Sequence, residues 1–84
     1  MKDMKNKKQE IPKWFHGVIY NSGDIVENPF TGATAELTAL ELSVYDFIMG
    51  AQMFANSSKV QNDVRKGLDW FIKQNPDAYM ALLD

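Results

Sequence analysis

Few side chains in this sequence have the type and spacing that catalysis requires. His16 is the only histidine, and histidine is the only side chain whose ordinary pKa lies near neutrality. A histidine acts as a catalytic base only within reach of a nucleophile; the chain has no cysteine, and the pattern indicates no serine partner. We therefore interpret His16 as a packed or surface residue and predict that the protein is not an enzyme.

Metal and phosphate sites are not indicated either. The closest carboxylate spacings, Asp63 with Asp69 and Glu41 with Asp46, do not place both groups closely on one helix face, whereas a metal ion needs convergent ligands. The five glycines stand singly, so no glycine-rich loop is available to hold a phosphate group. The sequence predicts no cofactor and no metal ion.

The charge distribution is uneven. The chain has 9 Lys and Arg against 11 Asp and Glu; the first nine residues contain four of the lysines and one aspartate, so the remainder has five against ten and a net charge of −5. An acidic body does not neutralise phosphates, so nucleic acid is not expected as a partner. On the predicted second helix, Lys59, Lys66 and Lys73 are offset by Asp63 and Asp69, which indicates a solvated face.

An alternative interpretation is that the protein binds nucleic acid. The lysine-rich start of the chain would act as an electrostatic arm, and Trp14, Phe15 or Trp70 would stack on bases. This would make the protein a nucleic-acid-binding accessory protein.

The strongest structural signal is a helix over residues 37–55. Thr38 and Glu41 have the spacing of a capping box, which satisfies backbone donors in the first turn. Leu37 and Leu42 occupy the positions of a hydrophobic staple, which fixes the direction from which the chain enters the helix. Gly50 lies inside this helix, where either a close approach of another backbone or a solvent-side position would explain it.

This helix is apolar on two sides. Placing residues about 100° apart around the axis gives a broad and a narrow face. The broad face contains Leu40, Val44, Phe47, Ile48, Ala51, Phe54 and Ala55. The narrow face contains Leu42, Tyr45, Met49 and Met53. Two apolar faces must be covered twice, so we expect the second helix on the broad face and either the hairpin or a second chain on the narrow one.

The remaining elements complete an α+β fold, a short N-terminal β-hairpin followed by three helices. Residues 1–10 are predicted to be a disordered basic tail, and residues 11–84 to be one small domain. Aromatic and β-branched residues predict extended backbone over residues 14–20. The hairpin is predicted at residues 24–27 and 33–37, around the turn at residues 28–32. Ser58 is predicted to start the second helix, residues 59–74, whose apolar seam is Val60, Val64, Leu68, Phe71 and Ile72. Asn75 and Pro76 are predicted to start the third, residues 76–83.

These elements indicate association. A chain of 84 residues buries only about 60% of the surface that its unfolded form exposes, and association is one remedy. Trp70 lies outside the seam of the second helix, so it is either an anchor for a partner or covered by the third helix or the N-terminal segment. The candidate interaction surface is Tyr45, Met49, Met53 and Trp70. We predict a homo-oligomer, with a dimer favoured, or a complex with another protein.

No apolar run approaches the roughly 20 residues of a membrane span, and no signal peptide is apparent, so a cytoplasmic protein is expected. Several motifs together resemble small uncharacterised proteins of marine cyanobacterial phages and ocean metagenomes. The motifs are residues 28–32 (NPFTG), 36–38 (ELT), 44–46 (VYD), 67–71 (GLDWF), 75–79 (NPDAY) and 82–84 (LLD). The resemblance covers residues 14–84 and implies a protein made during infection, in the host cytoplasm; it implies no activity.

Overall fold

The computed structural model describes residues 9–54 and 57–84, except for the side chains of Met53 and Phe54. It confirms the α+β prediction: an antiparallel hairpin precedes three helices. The elements are β1 (Asp24–Glu27), β2 (Thr34–Leu37), α1 (Ala39–Phe54), α2 (Ser58–Gln74) and α3 (Pro76–Leu82). The disordered tail was predicted over residues 1–10, of which residues 1–8 lie outside the described part of the chain.

The hairpin forms where the turn chemistry predicts it. β1 and β2 pair from Asp24 opposite Leu37 to Glu27 opposite Thr34. In the turn, the Asn28 side chain accepts a hydrogen bond from the Phe30 N–H at 2.8 Å, and Gly32 has the positive φ of 80° that a residue with a side chain rarely adopts. The alternation of side chains across the strands then places Leu37 on the inner face, where it is buried.

Helix α1 begins with the predicted capping box. The Glu41 N–H donates to Thr38 Oγ1 at 3.2 Å, and the Thr38 N–H donates to Glu41 Oε1 at 2.9 Å. Val44 and Ile48 on the broad face are fully buried, and Tyr45 on the narrow face is 9% exposed. Leu42 and Met49 on the narrow face are half-buried, so the chain itself covers this face in part.

Helix α2 packs on α1, and its start and seam differ in detail from the prediction. The N-cap is Ser57, whose side chain accepts from the Val60 N–H at 3.1 Å, so the predicted start at Ser58 was wrong by one residue. Ser57 and Ser58 are both residues that can cap a helix, and in the structure Ser57 has the N-cap position. Ile72 was also wrongly assigned to the seam; it is 42% exposed, while Phe71 is fully buried.

Helix α3 starts at the predicted cap and docks on β2 and α2. The Asn75 side chain accepts from the Ala78 N–H at 3.2 Å, and Pro76 occupies the first turn, as predicted. At its far end, Asn28 Nδ2 donates to the Ala81 carbonyl at 3.0 Å. The hairpin turn and α3 are thereby joined, which supplies the tertiary support that so short a helix needs.

Residues 14–20, here called the strap, do not form the extended strand that their composition suggested. In the described part of the chain the sheet consists of β1 and β2 only, and the Phe15 N–H closes a turn on the Pro12 carbonyl at 3.0 Å. Trp14 and Phe15 instead pack on Phe47 of α1, with ring centroids 6.2 and 5.8 Å from it. Burial of aromatic rings on the helices outweighed strand propensity.

Gln9, which was predicted to lie in the disordered tail, contacts the start of α1. Gln9 is half-buried, donates to Glu41 Oε2 at 2.8 Å and accepts from Thr38 Oγ1 at 2.7 Å. A hydrophilic residue in a lysine-rich segment gives no apolar signal, so sequence pattern alone does not reveal that it is part of the domain.

Candidate functional site

A concavity in the described part of the chain lies where the hairpin meets the first turns of α1 and α3. Its wall is formed by the segment before β1, by β2 and by the turn between α2 and α3. The lining residues are Gln9, residues 21–25, residues 35–39, Glu41, Gln74, Asn75, Asp77 and Ala78. Concave surfaces with a few convergent polar groups are where proteins most often bind ligands, so this groove is the first candidate site.

A buried carboxylate forms the floor of the groove. Glu41 is 3% exposed, and its two oxygens accept three hydrogen bonds: from the Thr38 N–H at 2.9 Å, from Asn75 Nδ2 at 3.2 Å and from Gln9 Nε2 at 2.8 Å. Buried polar groups are stable only when they are paired in this way. Glu41 therefore links the N-terminal segment, the start of α1 and the start of α3.

Local sequence signals place Glu41 at the start of α1 and Asn75 at the start of α3, and tertiary structure brings the two side chains together. Thr38 and Glu41 meet because a capping box requires it, and Asn75 is present because it caps α3. The Asn75 N–H also closes the end of α2 by donating to the Phe71 carbonyl at 2.8 Å. One asparagine thus terminates one helix, starts the next and donates to Glu41.

The charge of the groove has one sign. Among the described lining residues there are four carboxylates, Asp24, Glu36, Glu41 and Asp77, and no lysine, arginine or histidine. The remaining wall is more apolar than polar. Chemically, this arrangement suits the binding of a cationic ligand with apolar parts, because carboxylates attract cations and apolar walls exclude water.

The structure places His16 away from this groove. Its side chain is exposed on the strap, and it does not line the groove. Within residues 9–54 and 57–84, no group of three or more His, Cys, Asp or Glu could hold a metal ion. The predicted absence of catalysis stays a prediction.

A second candidate is the apolar part of the strap. Val18, Ile19 and Tyr20 are consecutive and are 76%, 40% and 39% exposed. The end of the strap is fixed on α1: the Tyr20 N–H donates to Ser43 Oγ at 2.9 Å, and the Tyr20 hydroxyl donates to the Asp46 carboxylate. That hydrogen bond, together with the negative charge of Asp46, raises the pKa of Tyr20.

The predicted interaction surface does not form one exposed patch. Tyr45 belongs to the core, where burial and the nearby charge of Asp46 raise its pKa; its burial is a correction to its assignment as surface. Met49 and Trp70 are half-buried and pack against the same core, and the Met53 side chain lies outside the described residues. Whether Met49 and Trp70 contact a partner stays a prediction.

Trp70 is covered in part by other side chains, which the pattern of α2 alone left open. Its ring packs edge-on against Phe71, with centroids 5.8 Å apart. It also borders a small cavity with residues 10–13 and Gln74, so the N-terminal segment covers part of it. The helical pattern put Trp70 outside the seam of α2, but the pattern does not include a segment sixty residues earlier in the chain.

Comparisons of the sequence with protein-family models and curated proteins, and of the structure with solved structures, found no match. The resemblance to phage and metagenome proteins therefore stays a prediction. None of the described helices is long and apolar enough to cross a membrane.

Proposed function

We propose that this protein is a non-catalytic cytoplasmic module that acts by self-association, with a second copy of the chain bound at Val18, Ile19 and Tyr20. The observation that carries the proposal is the exposure of these consecutive apolar side chains, 76%, 40% and 39%. Scattered exposed apolar residues are normal, but a contiguous run costs free energy in water unless something covers it.

The strap is suited to binding because it is already positioned. Its aromatic start is packed on α1, and its last residue donates two hydrogen bonds to Ser43 and Asp46. Little further ordering of the backbone is needed when a partner binds, so less conformational entropy opposes the complex. The same patch on two copies can meet across a two-fold axis, which is the commonest symmetry of soluble oligomers.

The free edge of the hairpin is a weaker candidate. The Ile25 N–H already donates to the side chain of Asp24 at 2.7 Å, so it is not free to donate to an added strand. Asp24 and Glu27 also put negative charge at both ends of β1, and charged edge strands resist pairing with another chain. An added strand would have to displace the Asp24 contact, whereas the strap requires no such exchange.

Sedimentation equilibrium over a range of concentrations tests the proposal. The natural chain is expected to dimerise at micromolar concentration. Val18→Lys, which changes a side chain that the fold leaves exposed, is expected to weaken the dimer at least about tenfold, because two lysines would lose water and face each other at the two-fold axis.

The matched control is Met80→Lys, since Met80 is 67% exposed on α3. It makes the same change of charge at an apolar residue on another surface and should leave the dimer intact. If the natural chain stayed monomeric up to about millimolar concentration, self-association would be refuted, because a dissociation constant above that value is weak. Equal effects of both variants would refute the assignment to the strap.

A further inference from the structure

We infer that Asn21 is a site of spontaneous covalent modification, at which the chain reacts with its own side chain. The backbone nitrogen of Ser22 attacks the side-chain amide of Asn21, and the asparagine becomes a mixture of aspartate and isoaspartate. The inference concerns a reaction and not a binding surface, so it does not depend on self-association through the strap. Water is the only co-reactant.

The reaction has two steps, and both follow from ordinary amide chemistry. In the first, the Ser22 nitrogen forms a bond to Asn21 Cγ and closes a five-membered succinimide ring; its proton goes to a base in the solvent, and the side-chain nitrogen leaves as ammonia. In the second, water opens the ring at one of its two carbonyl carbons. Opening at Cγ gives aspartate, whereas opening at the backbone carbonyl gives isoaspartate, in which the chain continues through Cγ. Attack within one molecule is fast when the reacting atoms are held close together.

The position of Asn21 leaves this attack open. Asn21 and Ser22 are both exposed and lie in a bend between the strap and β1, outside every helix and strand. Among residues 9–54 and 57–84, the Ser22 N–H has no hydrogen-bond partner. The nitrogen can therefore turn toward the Asn21 side chain without breaking a native hydrogen bond, and solvent can take up the proton and the ammonia.

The other described asparagines lack a free neighbouring nitrogen. Asn28 and Asn75 are each followed by a proline, which has no backbone N–H and cannot close the ring. Their side chains are also held in hydrogen bonds. Asn62 is exposed, but Asp63 lies inside α2, where the backbone N–H is used by the helix. Of these four residues, Asn21 alone combines exposure with an available nucleophile.

The isoaspartate product is expected to loosen the end of the strap. The Tyr20 N–H donates to Ser43 Oγ at 2.9 Å, and Gly23 is packed so tightly that a Cβ on it would lie 1.9 Å from the Leu37 carbonyl oxygen. Isoaspartate adds one carbon to the backbone between these two fixed points. Since only the bend can absorb the extra length, the hydrogen bond of Tyr20 is the contact that gives way.

The test is incubation of the natural full chain in mildly alkaline buffer, followed by tandem mass spectrometry of its peptides. Asn21 is expected to convert at least about tenfold faster than Asn62, because attack at Asn62 requires a turn of α2 to open first. Both aspartate and isoaspartate should appear at Asn21. Equal rates at the two asparagines would overturn the inference, as would aspartate without isoaspartate, since direct hydrolysis of the side chain gives aspartate only.

Two variants change the reacting groups. Ser22→Gly removes the side chain that crowds the attacking nitrogen and should speed conversion of Asn21 about threefold to tenfold. Asn21→Gln lengthens the side chain by one carbon, so the five-membered ring cannot form and conversion at this position should stop. Asn62→Gln is the matched control and should leave the rate at Asn21 within about twofold of the natural chain. An unchanged rate in Ser22→Gly would contradict attack by this nitrogen.

Amide hydrogen exchange tests the effect on the strap. The Tyr20 amide should exchange at least about threefold faster in the purified isoaspartate form than in Asn21→Asp, which has the same charge and an ordinary backbone. Equal exchange in the two forms would show that the extra backbone carbon does not loosen the strap. Because conversion is measured by mass and loosening by exchange, neither result depends on whether the chain dimerises.

Discussion

Glu41→Ala is expected to be among the most destabilising single substitutions outside the apolar core. Glu41 accepts hydrogen bonds from the Thr38 N–H at 2.9 Å, from Asn75 Nδ2 at 3.2 Å and from Gln9 Nε2 at 2.8 Å while 3% exposed. A hydrogen bond to a charged group contributes about 1.5–3 kcal/mol, and a buried donor left unpaired costs about 1–3 kcal/mol.

The three contributions do not add fully. Glu41 lies at the floor of an open groove, so water can reach some of the released donors and replace part of the loss. We therefore expect the free energy of unfolding to fall by about 2–4 kcal/mol, a large part of the roughly 4–12 kcal/mol available to a domain of this size. The corresponding fall in melting temperature is roughly 10–25 °C.

Urea unfolding followed by circular dichroism measures this change. Glu41→Gln should lose less, about 1 kcal/mol, because its remaining oxygen can still accept from the Thr38 N–H. Glu27→Gln, at an exposed carboxylate on β1, is the control and should stay within about 0.5 kcal/mol of the natural chain. A loss below about 1 kcal/mol for Glu41→Ala would refute the view that this carboxylate holds the three segments together.

Two further predictions concern glycines and pH. Gly50→Ala should raise the free energy of unfolding by about 0.4–1 kcal/mol, because a Cβ there meets nothing within 4 Å; Gly67→Ala should gain less or lose stability, since its Cβ would lie 3.1 Å from Ile48 Cγ1. Equal thermal shifts of the two variants would contradict this. The pKa of Tyr20 is raised by its hydrogen bond to Asp46. The unfolded chain therefore loses this proton first, and the stability from the contact, present below the ordinary pKa of about 10, is lost as the pH rises above it. Stability measured from pH 8 to pH 11 should fall less steeply in Tyr20→Phe; identical slopes would exclude the contribution.

Sequence pattern predicted the elements because their signals are local. The capping box at Thr38 and Glu41, the caps at Asn75 and Pro76, and the turn ending at Gly32 each depend on residues within four positions of one another. Backbone geometry fixes which side chains meet over such a distance. The hairpin, the start of α1 and the start of α3 could therefore be located from the residues alone.

The candidate sites could be predicted only in part. The sequence showed that α1 is apolar on two sides, but it left open whether the chain or a partner covers the narrow face; the fold buries Tyr45, at 9% exposure, and leaves Met49 half-buried. The apolar residues of the strap were visible in the sequence and were predicted to be extended, and the described sheet contains β1 and β2 only. The exposure of Val18 follows from the tertiary structure, in which both ends of the strap contact α1.

The feature decided most completely by tertiary structure is the floor of the groove. By itself the sequence determined that Glu41 would cap α1, because its partner Thr38 is three residues away. Only the fold brought it Gln9 from thirty-two residues before and Asn75 from thirty-four residues after. Contacts over such separations depend on how the helices pack, and the same packing that buries Phe71 and Ile48 sets the distance between those polar groups.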